Sequence, residues 1–273
     1  MSASQYELWP LGSLVPDGPL VYQTGEVSSV LDVAWARLDQ ELATPWSSIL
    51  AKSQTQGRGR FGRSWASPEG HVYAALRLPN QRPFEGTMAS VALGYALAQA
   101  FRAEGVDVRL KWPNDLLTQE GKAGGILVEN RRGALVAGLG LNLGQSPFPL
   151  ELRDPLAPPP AAFPERLGPP ADLWLRLAKN LFLRYNDDFL AKDPDWARTF
   201  SSLAEKSLLG LGQKVTIHEP VAEPRVTTPH LTGILTGLAP SGALIIEGPL
   251  GEVAVWAGTL TWPNRARDVW PQN

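Results

Sequence analysis

The 273-residue sequence contains no cysteine, only three histidines and only two methionines. The missing thiols exclude disulfides, thiol nucleophiles and cysteine-ligated zinc. The histidines, His71, His218 and His230, are too far apart for metal-ligand spacing and read as ordinary core or surface residues. No Gly-x-Ser-x-Gly elbow occurs, which removes that class of serine hydrolase. No run approaches the roughly 20 apolar residues that a membrane span needs. Met1 to Gly18 carries Gln5, Glu7 and Asp17 where a signal peptide would be basic and then apolar, so a cytoplasmic protein is expected. A formal net charge of -2 argues against a general nucleic-acid binder.

What is present is a local concentration of charge and flexibility. Gly57 to Trp65 reads Gly-Arg-Gly-Arg-Phe-Gly-Arg-Ser-Trp, three arginines interleaved with three glycines. Glycine lets backbone N–H groups converge on a ligand, and each guanidinium offers a planar fork matched to phosphate or carboxylate. The composition points to a polyanion beside a small acidic substrate, although solvated or loosely RNA-binding segments share it. Gly57, Gly59 and Gly62 also satisfy Gly-x-Gly-x-x-Gly. A dinucleotide fingerprint needs a helix directly afterwards, and here Ser67, Pro68 and Gly70 intervene.

A second segment, Lys111-Trp112-Pro113-Asn114-Asp115, follows an apolar run from Val106 to Leu110 that reads as a strand. Pro113 ends that strand and places Asn114 and Asp115 at a turn. Lys122 stands at the entrance to a second strand, Gly125 to Glu129, preceded by Gly124. Two lysines, an amide and a carboxylate are thereby expected at the ends of paired strands; an ordinary hairpin with Asn-Asp turn chemistry fits the same residues. A third segment, Val136 to Asn142, puts Gly138 and Gly140 inside a strand, where they cost stability unless something approaches the backbone. A planar ligand is one cause, a bulge or tight packing another.

In this order, Gln54, Gly57 to Trp65, Lys111 to Asp115, Lys122 to Leu127 and Gly138 to Asn142 resemble the motifs of the biotin protein ligases, over about Ser28 to Thr261. The resemblance implies an α+β fold: a biotin/lipoate ligase-like mixed sheet flanked by helices, with a small C-terminal SH3-like β-barrel. It places a catalytic acid-adenylating domain at 1–205 and the barrel domain at 206–273. It implies two steps, in which biotin and ATP form an acyl adenylate and a lysine of a biotin carboxyl carrier protein domain then displaces AMP. Lys122, Arg58 and Asp115 take the catalytic roles. Ser29, Gln54, Gly57, Arg58, Tyr73, Gly125 and Gly138 face the acid; Arg58, Arg60, Trp65, Asn114, Lys122 and Asn142 face ATP; Asn114 and Asp115 help place magnesium. Too few residues precede the first expected helix for a DNA-binding domain. A monomer or homodimer is expected, with no nucleic-acid or membrane partner.

The departures from the family pattern fall on the acid side. Val30 follows Ser29 where relatives carry threonine, and Ala75 stands two positions past Tyr73 where serine is common. Each change removes a hydroxyl from the expected ring pocket. A ligase for lipoate or another small acid is therefore an alternative, and a non-catalytic acid-binding protein a further one. Thr259 occupies the place of a family glutamate, so that role is not carried over.

Elsewhere the pattern gives a strand near Leu20 to Gln23 and a helix over Ser29 to Leu42 capped by Ser28 or Ser29. Further helices are expected over Thr87 to Glu104 and Ala171 to Ala191. Gln145 to Pro170 is too rich in proline for a helix or central strand. Short alternating strands follow at Lys214 to Ile217, Leu231 to Leu238, Ala243 to Glu247 and Val253 to Trp262, with a long connection from Glu219 to His230. The glycine-rich loop, Thr55 to Trp65, is expected to be mobile without ligand and to close over the adenylate.

Overall fold

Apolar patterning becomes seventeen regular elements in the computed structural model, which describes residues 6–147, 157–185, 195–218 and 229–262. In chain order these are β1 (Trp9–Ser13), β2 (Leu20–Val27), α1 (Val30–Ala36), β3 (Ser48–Gln54), β4 (Val72–Leu78), α2 (Met88–Ala103), β5 (Arg109–Lys111), β6 (Asp115–Thr118), β7 (Gly121–Arg131), β8 (Ala134–Leu141), α3 (Pro170–Arg184), α4 (Trp196–Glu205), β9 (Lys214–His218), β10 (Pro229–Leu238), β11 (Leu244–Gly248), β12 (Gly251–Val255) and β13 (Thr259–Thr261). Among the described residues no helix is long and apolar enough to cross a membrane.

The chain forms two units. The first holds described residues 6–82, 123–147 and 162–185. Its strands run in the order β1-β2-β3-β4-β8-β7. β2 and β3 are parallel and the other pairs antiparallel, which makes the sheet mixed as expected. Every residue of β4 except Arg77 is buried, so it reads as an apolar run and not as an alternation. α1 packs Leu31 and Val33 with Ile49, Tyr73 and Val136 from the sheet. Leu173, Leu177 and Leu181 of α3 are buried at helical spacing, and the Trp174 indole donates to Ser48 Oγ at 3.0 Å, fastening α3 to β3.

Several boundaries differ from the pattern. α1 ends at Ala36, well before Leu42, although Leu42 itself is buried. Arg37 leaves helical geometry as its guanidinium donates to the Tyr6 carbonyl at 2.5 Å, and the next residues turn toward Pro45. Ser29 occupies the N-cap position without a side-chain cap bond; the Gln54 amide oxygen accepts from the Val30 N–H at 2.9 Å in its place. Pro170 opens α3 instead of ending a loop, a position where its missing N–H costs nothing. The expected extension of that helix beyond Tyr185, and much of the two long connections, lie outside the described residues.

The second unit holds described residues 83–122, 157–161, 195–218 and 229–262. α2 buries most of its circumference, as its small residues allow, and a Cβ on Gly94 would sit 2.6 Å from Leu110 of β5. β5 and β6 form a tight hairpin with Lys111 opposite Asp115. The Trp112 indole at its turn is buried and donates to the Gly242 carbonyl at 3.0 Å. The last strands form an antiparallel five-stranded sheet in the order β12-β11-β10-β9-β13. Among the described residues no pairing of β12 with β13 closes it into a barrel. The expected strand over Val253 to Trp262 is two strands, because Gly258 turns the chain at φ 138° between them.

Candidate active site

Within the first unit, register alone aligns much of the predicted acid side. Tyr73 of β4 pairs with Gly140 of β8, which pairs with Gly125 of β7; Ala75 pairs with Gly138, which pairs with Leu127. Residues two apart share a face of a sheet, so Tyr73, Ala75, Gly138, Gly140, Gly125 and Leu127 line one side. α1 and Trp65 cover that side. A Cβ on Gly138 would lie 2.9 Å from Leu31, and one on Gly140 would fall within 2.5 Å of the Trp65 indole. The close approach inferred for these glycines is therefore made by Leu31 and Trp65. Val30 and Ala75 belong to the same buried cluster as Tyr73. Tyr73 donates to the Pro68 carbonyl at 2.9 Å, and burial pushes its phenol far above its ordinary titration range.

Gln54 is the hub of the loop base. Its oxygen accepts from Val30 and its amide donates to Ser67 Oγ at 2.8 Å, while Ser67 donates to the Trp65 carbonyl at 2.9 Å. From this base the loop forms a small hairpin: Trp65 N–H to Gly57 O at 2.8 Å and Gly59 N–H to Arg63 O at 2.7 Å. Its tip is a single turn, Arg60 to Gly62, in which Phe61 and Gly62 take φ of 58° and 70°. Arg60 lies over the half-exposed Phe61 ring at 4.7 Å. Arg58 is turned to the protein. Its guanidinium grips both Asp32 oxygens at 2.8 Å each and reaches Glu129 at 3.9 Å. The Asp32 hydrogen bond is the main cause raising its pKa.

Asn142 follows β8 with its backbone fixed on both sides. Its N–H donates to the Ala123 carbonyl and its carbonyl accepts from Phe163 N–H, each at 2.8 Å. The next N–H, of Leu143, donates to Nδ1 of the buried His71 at 3.0 Å. Burial lowers the His71 pKa, and the neutral ring carries its proton on Nε2. Below about pH 6.5 the unfolded chain takes up this proton more readily than the folded one. The contribution of His71 to stability should therefore be complete above about pH 6.5 and decline as pH falls toward its lowered folded pKa. Urea unfolding across pH 5 to 8 checks this: His71→Asn should lose less stability over the acid range than the parent.

In the second unit, Asp115 is a bridge between two ammonium groups. Oδ1 lies 2.6 Å from Lys122 Nζ and Oδ2 lies 3.5 Å from Lys111 Nζ. Lys111 is almost fully buried, Lys122 is partly open, and the Asn114 N–H closes the turn onto the Lys111 carbonyl at 3.2 Å. Of the expected meeting at strand ends, the two lysines and the carboxylate come together here, with Asn114 at the adjoining turn. Asp115 begins β6 instead of lying within the turn. Among the described residues no cluster of three or more His, Cys, Asp or Glu could hold a metal ion. With both Asp115 oxygens facing lysines, this arrangement does not fit a resident magnesium.

Asp32 and Glu129 escaped the sequence reading. Asp32 stands in the first turn of α1, where an acidic residue is explained by the helix dipole, and only the fold shows Arg58 beside it.

A family model described as the Biotin/lipoate A/B protein ligase family matches residues 25–146. The Biotin--[acetyl-CoA-carboxylase] ligase of Paracoccus denitrificans is 34% identical over 229 residues, covering 78% of this chain and 88% of the relative. The enzyme of the same description from Mycobacterium tuberculosis is 35% identical over 106 residues, 36% of this chain and 40% of the relative. Among solved structures, the biotin protein ligase of Aquifex aeolicus in complex with biotin and ATP superposes with a TM-score of 0.67 at 25% identity, covering 88% of this chain and 97% of that one. On this likeness in sequence and fold, the chain belongs to the biotin protein ligase family.

Proposed function

We propose that the protein activates biotin with ATP to biotinyl-5'-AMP and transfers the biotin to a lysine of a biotin carboxyl carrier protein domain. The 34% identity to a Biotin--[acetyl-CoA-carboxylase] ligase, covering 78% of the chain, carries this reading. In the first step a carboxylate oxygen bonds to the α-phosphorus and the bond to the β-phosphate oxygen breaks, releasing pyrophosphate. In the second the lysine amine bonds to the acyl carbon, the acyl–phosphate bond breaks, AMP departs and the amine loses a proton.

The first step brings two anions together, so fixed positive charge is the main requirement. Lys122, Arg58 and Arg60 supply it in this reading. Asp115, paired with Lys111 and Lys122, is placed in this reading to accept a hydrogen bond from, or a proton of, the incoming amine. Ser29, Gln54, Gly57, Tyr73, Gly125 and Gly138 frame the acid, and Trp65, Asn114 and Asn142 the nucleotide. Magnesium arrives on ATP. We assign adenylation to residues 1–205 and an accessory role to 206–273, in the cytoplasm, where ATP is supplied. ATP–pyrophosphate exchange with biotin, lipoate, octanoate and short aromatic acids tests the whole reading. Exchange with biotin supports it; exchange with none sinks it.

One observation favours a second reading, a different acid. Val30 and Ala75 both lie in the apolar cluster beside Tyr73, where a biotin ring would otherwise gain hydroxyl partners. Val30→Thr with Ala75→Ser should raise biotin affinity by about thirtyfold if the ring binds there, because each of the two added hydrogen bonds is worth about 1 kcal/mol. Without biotin the same pair should lower stability by about 1–3 kcal/mol through buried hydroxyls. Calorimetric titration and urea unfolding read both, and unchanged affinity would remove these two positions from the ring pocket.

A further inference from the structure

The pairing of β4 with β8 ends at Val72 opposite Leu141, one residue before the chain presents Asn142. Beyond that point the ladder is continued by a side chain. The Leu143 N–H, in a residue only 8% exposed, donates to His71 Nδ1 at 3.0 Å. Backbone bonds also hold this strand end: Asn142 N–H to Ala123 O, Phe163 N–H to Asn142 O, and Gly144 N–H to Phe163 O. His71 thus adds a replaceable side-chain acceptor to these backbone bonds. A buried N–H must keep an acceptor, so loss of Nδ1 forces the strand end to move until it finds another.

We infer that His71 is a positioning residue for the nucleotide: its Nδ1 fixes the strand end that presents Asn142. The inference rests on the proposed reading in which Asn142 faces ATP. His71 touches no reacting atom in this role. Its Tyr73 neighbour, 6.2 Å away between ring centroids in an edge contact, limits rotation of the imidazole. The ring therefore holds the Nδ1 direction without needing a charge.

The two amide side chains separate the two ring nitrogens. Asparagine places an oxygen where Nδ1 lies, whereas glutamine mimics the Nε2 side and leaves the Leu143 N–H without its acceptor. Pyrophosphate exchange on the full chain, with ATP and biotin varied separately, gives a KM for each. His71→Gln is expected to raise the KM for ATP about tenfold or more, a displacement below about 1 Å being enough, while the KM for biotin stays within about twofold. His71→Asn is expected to stay near the parent on both. Asn142→Ala is the companion variant. If it raises the KM for ATP and His71→Gln does not, the positioning role is overturned while the Asn142 reading stands. If neither variant changes it, the Asn142 reading fails and takes the inference with it. An equal rise in both KM values for His71→Gln, or no difference between the glutamine and asparagine variants, marks a general structural effect and also overturns it.

Discussion

Lys122→Ala is expected to lower acid-dependent ATP–pyrophosphate exchange by about 10³-fold, the effect of deleting one group aimed at developing charge in a water-poor site. The fold should survive. The backbone of Lys122 is held independently of its side chain, by its N–H to Pro159 O at 2.7 Å and by Ala161 N–H to its carbonyl at 2.9 Å. Its ammonium is partly exposed and its pair with Asp115 adds about 1 kcal/mol or less to stability. Asp115 keeps Lys111 as a neighbour when Lys122 is gone. Single-turnover adenylate formation and urea unfolding should therefore separate, one collapsing and the other barely moving. Exchange within about threefold of the parent would remove Lys122 from the chemistry.

The residues whose types announce chemistry were legible because their signal is local. Arginine between glycines, or lysine and aspartate flanking a proline turn, can be read in a window of ten residues. α2 and the strands β9, β10 and β11 were legible for a similar reason, since period and punctuation agree there. What escaped depends on distant partners. Arg58 meets Asp32 across 26 positions and Leu143 meets His71 across 72, and nothing in the local composition of either marks the pairing.

The elements that escaped show competing physics. β1 carries Pro10 and Gly12 and is bulged between them, which an edge strand tolerates and a central strand does not. α4 presents Trp196, Phe200 and Ala204 as a buried stripe. It has no side-chain cap bond at Asp195 to announce its start. Asn114 and Asp115 favour a turn, yet Leu116 and Leu117 draw the chain back into a strand, β6, by burial. Gly138 and Gly140 pointed correctly to close approach. The approaching groups, Leu31 and Trp65, come from elements more than 70 positions away.

The second large effect is expected at the loop base. Gly57 does not need left-handed backbone; it needs the absence of a Cβ. A methyl there would collide with the Trp65 carbonyl, lie 2.5 Å from Ser67 Oγ and crowd Gln54 Nε2 at 3.1 Å. The first of these is backbone and cannot swing aside. The other two form the Gln54–Ser67 bond that joins the loop to the start of α1. Gly57→Ala should cost about 1–3 kcal/mol in stability through overpacking. It should also raise the KM for biotin by about 10²-fold through displacement of the loop. Gly59→Ala is the control two residues on, where the nearest atom to a new Cβ is the Arg63 carbonyl at 3.5 Å, an ordinary contact. That variant should fold like the parent and change the same KM by less than about threefold. Equal behaviour of the two alanine variants would mean that loop flexibility, and not the room left at Gly57, is what the glycines provide.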